Sequence, residues 1–263
     1  MEKFFKAIIL YGTFLFFLHY NSVAQQTSIN KKARPNRILG FDFQYAAQLP
    51  FADLANKFGF NNAVGGGVRY KTQENYIYGI SGNFIFGNTL KNDAINFNGI
   101  VSNDGFFVND NGQLVQARLY ERGMSYIVTA GKIFSPKFTN KNSGLMLQVG
   151  VGYIQHKIRI ELPGENVPQL RSAYKPGYDK LHSGIALQQY IGWHFMQYQQ
   201  HYANFNVGIE VIEGITQNRR GYNYDMQAYD TKKKLDIFAG IKFTWFIPRY
   251  LAYLDGKDEY YFK

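Results

Sequence analysis

Residues 235–247 read Leu-Asp-Ile-Phe-Ala-Gly-Ile-Lys-Phe-Thr-Trp-Phe-Ile. Every second residue from Leu235 to Ile247 is apolar, whereas the positions between them include Asp236, Lys242 and Thr244. A period of two places these two sets on opposite faces of a β-strand. Because a soluble β-sandwich contains such strands as well, the choice between a soluble and a membrane protein depends on how often the pattern recurs.

Seven other segments of the chain show a comparable alternation. The eight predicted strands are residues 38–49, 63–71, 76–87, 124–134, a segment that begins at 144, 185–198, 203–215 and 235–247. Long polar connections at 50–62, 88–123, 163–184 and 216–234 alternate with short connections at 72–75, 135–143 and 199–202.

This order of connections favours one architecture. Transmembrane β-barrels have an even number of strands, short periplasmic turns and long extracellular loops, and each strand needs about 9–11 residues to cross the bilayer. A sandwich or a lipocalin has no reason to alternate its loop lengths. The sequence therefore predicts an all-β fold, a transmembrane antiparallel up-and-down β-barrel of eight strands, whose four long loops are extracellular.

Composition agrees with a β-rich chain and excludes several kinds of chemistry. The 263 residues include 26 Gly, 21 Tyr and 23 Phe but no Cys. No disulfide, thiolate metal site, catalytic thiol or lipidated cysteine can form, and we expect no cofactor. The net charge of +10 comes from basic residues that lie mostly in predicted loops and form no dense cluster, so no nucleic-acid partner is predicted.

The first 24 residues have the features of an export signal. Met-Glu-Lys-Phe-Phe-Lys is followed by an apolar run at 7–18 and by Ser22-Val23-Ala24. The alternative is an N-terminal membrane anchor, but the run is shorter than the ~20 residues of a spanning helix. We therefore predict cleavage after Ala24, a periplasmic leader at 25–36, a barrel at 37–248 in the outer membrane, and a periplasmic tail at 249–263.

The predicted barrel resembles the small outer-membrane barrels of the OmpA-transmembrane-domain and PorT-like type of Bacteroidota. The resemblance covers the mature chain, and its local form is carried by Leu49-Pro50 through Leu54, Phe58-Gly59, Gly65-Gly66-Gly67-Val68 and Tyr78-Gly79. It implies an architecture and no activity. Such barrels often end on an aromatic residue that the assembly machinery recognises; here the signal would be internal, at 240–246, or would be Tyr260 to Phe262.

The strand that begins at Gly144 changes its pattern partway along. Its outer set is apolar as far as Tyr153, after which Gln155, Lys157 and Arg159 occupy the same side. This change predicts a strand that leaves an apolar environment, and a β-bulge is one way to produce it.

Six charged residues are predicted to face the inside of the barrel. An ion path and an internal network of ion pairs are both consistent with them. An eight-stranded barrel is just wide enough for its own side chains, and buried charges need partners, so we expect the network and no diffusion pore; a narrow channel remains the alternative. The six residues are Asp42, Arg69, Lys71, Glu210, Asp236 and Lys242.

Catalysis has few candidate residues. His156, His182 and Ser183 lie near the predicted outer rim, and His194 is expected to be a hydrogen-bonding group in the lumen. His182 and Ser183 come just before the sixth predicted strand, and adjacent residues at a strand start point to opposite faces, which separates the base from the nucleophile. Sequence motifs of hydrolases and metal ligands are absent. An enzyme, such as a hydrolase or acyltransferase at the rim, is therefore the weaker alternative.

The loop at 88–123 is the predicted partner-binding site. Phe106, Phe107, Leu119 and Tyr120 lie among polar residues there, with a hairpin expected at 105–117. The other interpretation is a hairpin that extends the barrel wall and packs on neighbouring loops. The fourth loop carries Arg219, Arg220, Lys232, Lys233 and Lys234, which either face solvent or meet lipopolysaccharide phosphates.

These features together predict a structural or interaction protein. We expect an accessory subunit of a larger envelope complex, whose partners are outer-membrane lipid, lipopolysaccharide and an outer-membrane or surface protein.

Overall fold

A computed structural model describes residues 37–91, 97, 100–102, 104–136, 141–162, 166–171, 174–196 and 204–251. The predicted signal peptide, the leader at 25–36 and most of the tail, including Tyr260 to Phe262, lie outside the described residues and stay predictions. No helix in the described ranges is long and apolar enough to cross a membrane.

Eight long antiparallel strands form a closed ring in the order β1-β12-β9-β8-β7-β6-β3-β2. Each long strand pairs with the long strands before and after it in the chain, and β1 closes the ring on β12 from Ile38↔Tyr250 to Ala52↔Asp236. The predicted eight-stranded up-and-down barrel is therefore confirmed. The long strands are β1 (Ile38–Ala52), β2 (Asn61–Lys71), β3 (Tyr76–Gly87), β6 (Arg118–Phe134), β7 (Gly144–Glu161), β8 (His182–Phe195), β9 (Phe205–Asn218) and β12 (Lys233–Tyr250).

The loops contain the remaining regular structure. Two short hairpins are formed by β4 (Phe107–Val108) with β5 (Leu114–Val115) and by β10 (Tyr222–Asn223) with β11 (Ala228–Tyr229). One turn of helix, α1, spans Lys175–Tyr178, and single 3-10 turns span Asp53–Asn56 and Pro168–Leu170.

The first predicted loop is wrong in its length. Pro50 was expected to end the first strand, but β1 continues to Ala52, and the connection to β2 shrinks to residues 53–60. The pairing of β1 with β2 stops at Gln48↔Asn61, whereas the pairing of β1 with β12 continues past Pro50. Pro50 therefore lies where β1 has lost one neighbour, a position that tolerates a missing N–H.

Three other predicted boundaries move by several residues at the loop end. Strand β6 begins at Arg118 instead of 124, β8 begins at His182 instead of 185, and β9 continues to Asn218 instead of 215. Leu119 and Tyr120 consequently belong to a barrel strand and not to the second loop. The strands are longer than their apolar segments because the wall of the barrel continues above the apolar belt.

The outer face of the barrel is an apolar belt. On β12 it extends from Leu235 to Ile247, as the alternation predicted, and on β7 from Leu145 to Tyr153. Aromatic side chains are concentrated at the end of the belt that carries the short turns. One example is the pair Phe43 and Trp245, whose ring centroids lie 5.8 Å apart. Aliphatic side chains that are at least half exposed cover the middle of the belt: Ile80, Val128, Val149, Val151, Ile185, Ile191, Ile209, Ile215 and Ile241.

Strand β7 keeps one register along its whole length. It pairs with β6 without interruption from Arg118↔Glu161 to Phe134↔Leu145, so the suggested bulge does not occur. The outward positions change from apolar to Gln155, Lys157 and Arg159, while the inward positions change to buried isoleucines. The strand passes from a lipid-facing to a water-facing exterior, and its interior side enters an apolar core beneath the loops.

Close approach of strands explains the glycine run in β2. An added Cβ at Gly65 would lie 2.1 Å from the carbonyl oxygen of Gly82, and one at Gly67 would lie 2.4 Å from that of Ile80. Both glycines face inward and pair with β3. Side chains larger than glycine would not fit between the two strands at these positions.

The loops fold over one end of the barrel around their own hydrophobic core, which we call the crown. Phe97 packs edge-on against Phe107, with centroids 4.9 Å apart, and the backbone N–H of Asp110 donates to the carbonyl of Asn166 (3.1 Å). The second and third loops are thereby tied together. Buried members of the crown core are Leu54, Phe58, Phe97, Phe107, Ile158, Ile160, Val167, Leu170 and Tyr178.

Candidate functional site

The six predicted inward-facing charges are all buried inside the barrel, but they do not form one network. At the end with short turns, the Nη2 of Arg69 donates to Oδ2 of Asp42 (2.8 Å) and its Nε to the same oxygen (3.1 Å). Lys71, close to the turn, donates to Oδ1 of Asn142 (2.8 Å). These cations have polar partners, as buried charges require.

Polar side chains continue around Arg69. In the orientation that satisfies its neighbours, the amide oxygen of Asn206 accepts from Nη1 of Arg69 (2.8 Å) and its nitrogen donates to Nδ1 of His194. His194 stacks on Phe246, with centroids 4.9 Å apart. His194 therefore has the hydrogen-bonding position in the lumen that the sequence suggested.

A second ion pair lies in the middle of the lumen. The Nζ of Lys242 donates to Oε1 of Glu210 (2.6 Å), which also accepts from the amide of Gln188. The void enclosed between this pair and Arg69 measures about 20 Å³, which is room for roughly one water molecule. The described residues leave no wide passage at this level.

An apolar layer lies above the Lys242–Glu210 pair and separates it from Asp236. Its members are buried side chains from several different strands, and they meet across the lumen. A dry layer of this kind opposes the passage of ions, because an ion would lose its hydration without gaining a partner. The layer is formed by Ala46, Ala63, Ile85, Ile127, Ile154, Ala186, Ile212 and Phe238.

A third polar group, which we call the upper polar group, lies between the apolar layer and the crown. Oδ2 of Asp236 lies 2.8 Å from Nε2 of His156 and accepts from the hydroxyl of Thr216. The ring of His156 stacks on that of His182 at 5.6 Å with an interplanar angle of 2°. The partner of Asp236 is therefore a histidine, not one of the predicted cations, because the apolar layer keeps Lys242 away.

Lys57 covers this group from the first loop. Nδ1 of His182 lies 2.7 Å from the carbonyl of Lys180 and must donate to it, which leaves Nε2 to accept from Nζ of Lys57 (3.4 Å). Burial, followed by the positive charge of Lys234, lowers the pKa of Lys57 to about 7.

Asp230, in the fourth loop, contacts the upper polar group from the side of the crown. Its Oδ2 accepts from Nζ of Lys234 (3.0 Å) and lies 3.6 Å from Nε2 of His182. Burial alone would raise the pKa of Asp230, but the hydrogen bond and charge of Lys234 lower it below its ordinary value. The carboxylate therefore stays ionised opposite Lys57 and Lys234.

The residues considered for catalysis are placed in a way that does not suit a hydrolase. His156 and His182 are stacked, but the Oγ of Ser183 accepts from Nε of Arg219 (2.7 Å) and does not contact either ring. All three side chains are buried, so a substrate has no access to them. Within the described ranges, no group of three or more His, Asp or Glu side chains is arranged to hold a metal.

The predicted partner-binding residues have different positions. Phe107 is buried in the crown core, and Leu119 packs against it from β6. Phe106 and Tyr120 are half-buried. None of the four predicted residues is fully exposed, because the second loop folds onto the crown core and Leu119 and Tyr120 lie in the barrel wall.

Other apolar side chains project from the crown. Leu114 is 63% exposed at the tip of the β4–β5 hairpin, and Tyr229 is 78% exposed on the β10–β11 hairpin. Val108, Tyr174 and Met226 are exposed as well. These residues form an exposed apolar surface on the crown.

A closed ring of strands with an apolar exterior and a polar interior satisfies every backbone group of the wall and suits lipid on the outside. The class of protein that these features define is the small outer-membrane β-barrel.

Three solved structures illustrate the fold similarity. The chain is similar to Neisserial surface protein A (10% identity, covering 80% of this chain and 96% of that one, TM-score 0.38). It is also similar to Ail of Yersinia pestis, solved with the heparin analogue sucrose octasulfate (14%, 80% and 99%, 0.37), and to OprG of Pseudomonas aeruginosa (11%, 81% and 97%, 0.34). Similarity at this level does not bear on function. No family model and no curated protein matches the chain.

Several residues of the upper polar group were missed by sequence reasoning. Lys57 lies in the first loop, where no periodicity shows which way a side chain points. Glu121 lies in a segment that was predicted to be a loop. Its carboxylate accepts a hydrogen bond from Nδ2 of Asn61 (3.0 Å) on the inner side of the barrel wall. A longer fourth strand would have revealed it, because Glu121 has the same phase as Gly123 and Ser125.

Proposed function

We propose that this chain is exported to the outer membrane and acts there as an interaction protein, an accessory subunit of an envelope complex. The observation that carries the proposal is the crown: a folded platform whose exposed apolar side chains include Leu114 and Tyr229. Exposed apolar residues on a well-packed scaffold are typical of protein-binding surfaces.

The interior supports the same proposal. Ion pairs, an apolar layer and the upper polar group fill the described lumen, which disfavours transport through the barrel. The histidines are buried and lack a nucleophile, which disfavours catalysis. A rigid, filled barrel is suited to holding the crown at the membrane surface.

The orientation follows from the sides on which the connections lie. One end of the barrel carries the strand ends that the short connections join: Lys71 and Tyr76, Phe134 and Gly144, Phe195 and Phe205. At that end the N–H of Leu251 also donates to the carbonyl of Arg37 (3.1 Å). Short turns of such barrels are periplasmic. We therefore place the leader and the tail in the periplasm and the crown outside the cell.

Site-specific photo-crosslinking in native membranes tests this proposal. The photoreactive residue p-benzoylphenylalanine replaces Leu114 or Tyr229 in the crown, and Val149 in the apolar belt as a control. We expect a defined protein adduct from the crown positions and none from Val149. Mass spectrometry of the adduct identifies the partner.

Two outcomes would contradict the proposal. A protein adduct formed at Val149 and absent from the crown would place the interface in the membrane. An absence of adducts at all three positions, in folded protein at its native level, would show that the crown has no stable protein partner.

A further inference from the structure

An open groove of about 880 Å³ lies on the outside of the barrel, where β6 and β7 rise above the apolar belt towards the crown. Its walls are the outward side chains of these strands on one side and the segment around α1 on the other. The volume is within the ~300–1,000 Å³ range of small-molecule sites. The groove is separate from the exposed crown residues discussed above.

The groove is strongly cationic. Five of its side chains are positive, Arg122, Lys157, Arg159, Lys175 and Arg220, and two are acidic. Each acid is already paired: Glu161 with Nε of Arg159 (2.6 Å) and Asp179 with Nη2 of Arg220 (2.6 Å).

Three cations are therefore left without a counter-charge. Among the described residues, Arg122, Lys157 and Lys175 form no salt bridge. Arg122 donates to the backbone carbonyl of Glu121 (2.7 Å) and stacks over Tyr120, while the carboxylate of Glu121 accepts from Asn61. The net formal charge of the groove is five minus two, or +3.

The register of β6 and β7 places two of these unpaired cations side by side, which is unfavourable unless an anion binds between them. Arg122 and Lys157 are direct cross-strand partners on the outer face of β6 and β7. Like charges at such positions repel each other. A bound anion between them would remove the repulsion, and phosphate is an anion that both Arg and Lys side chains are suited to bind.

The floor of the groove indicates an amphiphile. Phe84 and Met124 line its lower part and are 40% and 38% exposed. Tyr126 and Tyr153, partners across the β6–β7 ladder, continue the apolar surface towards the membrane. The cationic part of the groove thus lies directly above the lipid-facing belt, at the level of the headgroups.

From this arrangement we infer that the β6–β7 groove binds the phosphorylated headgroup of an outer-leaflet lipid, whose acyl chains lie along the apolar belt below. The fourth loop is a poorer site for such a headgroup. Arg219 donates to Ser183, and Lys234 pairs with Asp230, so only part of that basic cluster is free to meet a phosphate. Of the fourth-loop cations, which were expected either to face solvent or to meet lipopolysaccharide phosphates, Arg220 lines the β6–β7 groove.

Binding of defined lipids to the purified mature protein tests the inference. Native mass spectrometry in detergent compares the unchanged protein with Arg122→Gln/Lys157→Gln, and uses lipid A with two phosphates as the probe. We expect the double substitution to weaken binding about tenfold or more, because two charge-assisted contacts are lost. Heat-modifiable migration on gels establishes that the variant is folded.

A charge-matched control and two further probes make the result specific. Lys232→Gln/Lys233→Gln removes the same charge from exposed positions of the fourth loop and should change the affinity less than about twofold. Dephosphorylated lipid A should bind far more weakly, and inorganic phosphate should compete only at much higher concentration.

Each opposite result would overturn the inference. Equal losses in the two double variants would mean that bulk charge attracts the lipid. Equal binding of dephosphorylated lipid A would exclude recognition of phosphate. Inorganic phosphate that competes as well as the lipid would make the groove a site for a free anion and not for a headgroup.

Discussion

Lys57 shows how a single loop residue depends on the closure of the crown. Its ammonium group contacts His182 and interacts electrostatically with Asp230 and Lys234, at a position where sequence predicted only a loop. Burial removes water from the charge, so the folded protein holds the proton less tightly than the unfolded chain.

We predict that stability rises with pH because of this residue. The pKa is about 7 in the folded protein and ordinarily 10.5, so only the unfolded chain binds the proton between these values. The penalty is complete below pH 7 and disappears as the pH rises towards 10.5. The full shift would give about 5 kcal/mol, and for a half-buried amine we expect roughly 1–3 kcal/mol.

The measurement is the urea midpoint of the barrel in detergent between pH 7 and 10. Lys57→Met should be more stable at pH 7 and should lose most of the rise, whereas Lys232→Met, at an exposed position, should keep it. An unchanged pH dependence in Lys57→Met would show that other groups cause it.

At the scale of elements, β7 shows why a pattern can change without a bulge. One uninterrupted ladder to β6 carries the strand from lipid to water outside and from a polar to an apolar environment inside. The sequence showed the change at Gln155 correctly. The reason for the change is the apolar crown core above the membrane, which is formed by loops distant from β7 in the sequence.

We predict that the crown can be loosened without unfolding the barrel. Phe107→Ala removes a buried ring that contacts Phe97, at a cost of about 3–5 kcal/mol. Because the ladders of the barrel do not include β4 and β5, the loss should be local. Proteases added to intact cells should cut the second loop faster, while heat-modifiable migration is retained.

Leu114→Ala is the matched control for this prediction. The side chain lies in the same hairpin but is exposed, so protease resistance should stay close to that of the unchanged protein. If Phe107→Ala also abolished the folded gel form, the crown and barrel would have to be one cooperative unit.

At the scale of the whole molecule, the filled interior predicts a non-conducting barrel. Among the residues that the structure describes, the apolar layer around Phe238 and the ion pairs below it leave no continuous path for water between the two ends of the barrel. In planar bilayers we expect no discrete current steps, with an open porin as the positive control. Reproducible unitary steps from pure protein would contradict this filled arrangement and would favour the narrow channel.

The sequence predicted the architecture well because strand patterns are local. The alternation in residues 235–247 assigned each side chain of β12 to the outer or inner face correctly. Predicted strand ends were less accurate, as Pro50 and Leu119 show, because pairing continues where one neighbour or the apolar pattern has already been lost.

Sequence alone thus determined the number of strands and the side chains on each of their faces, because a period of two is set by neighbours in the chain. Only the tertiary structure decided which groups meet. Asp42 and Arg69 are 27 residues apart, His156 and Asp236 are 80 apart, and Lys57 and His182 are 125 apart. These distances are bridged by barrel closure and loop packing, which bring the partners together through contacts that no local pattern encodes.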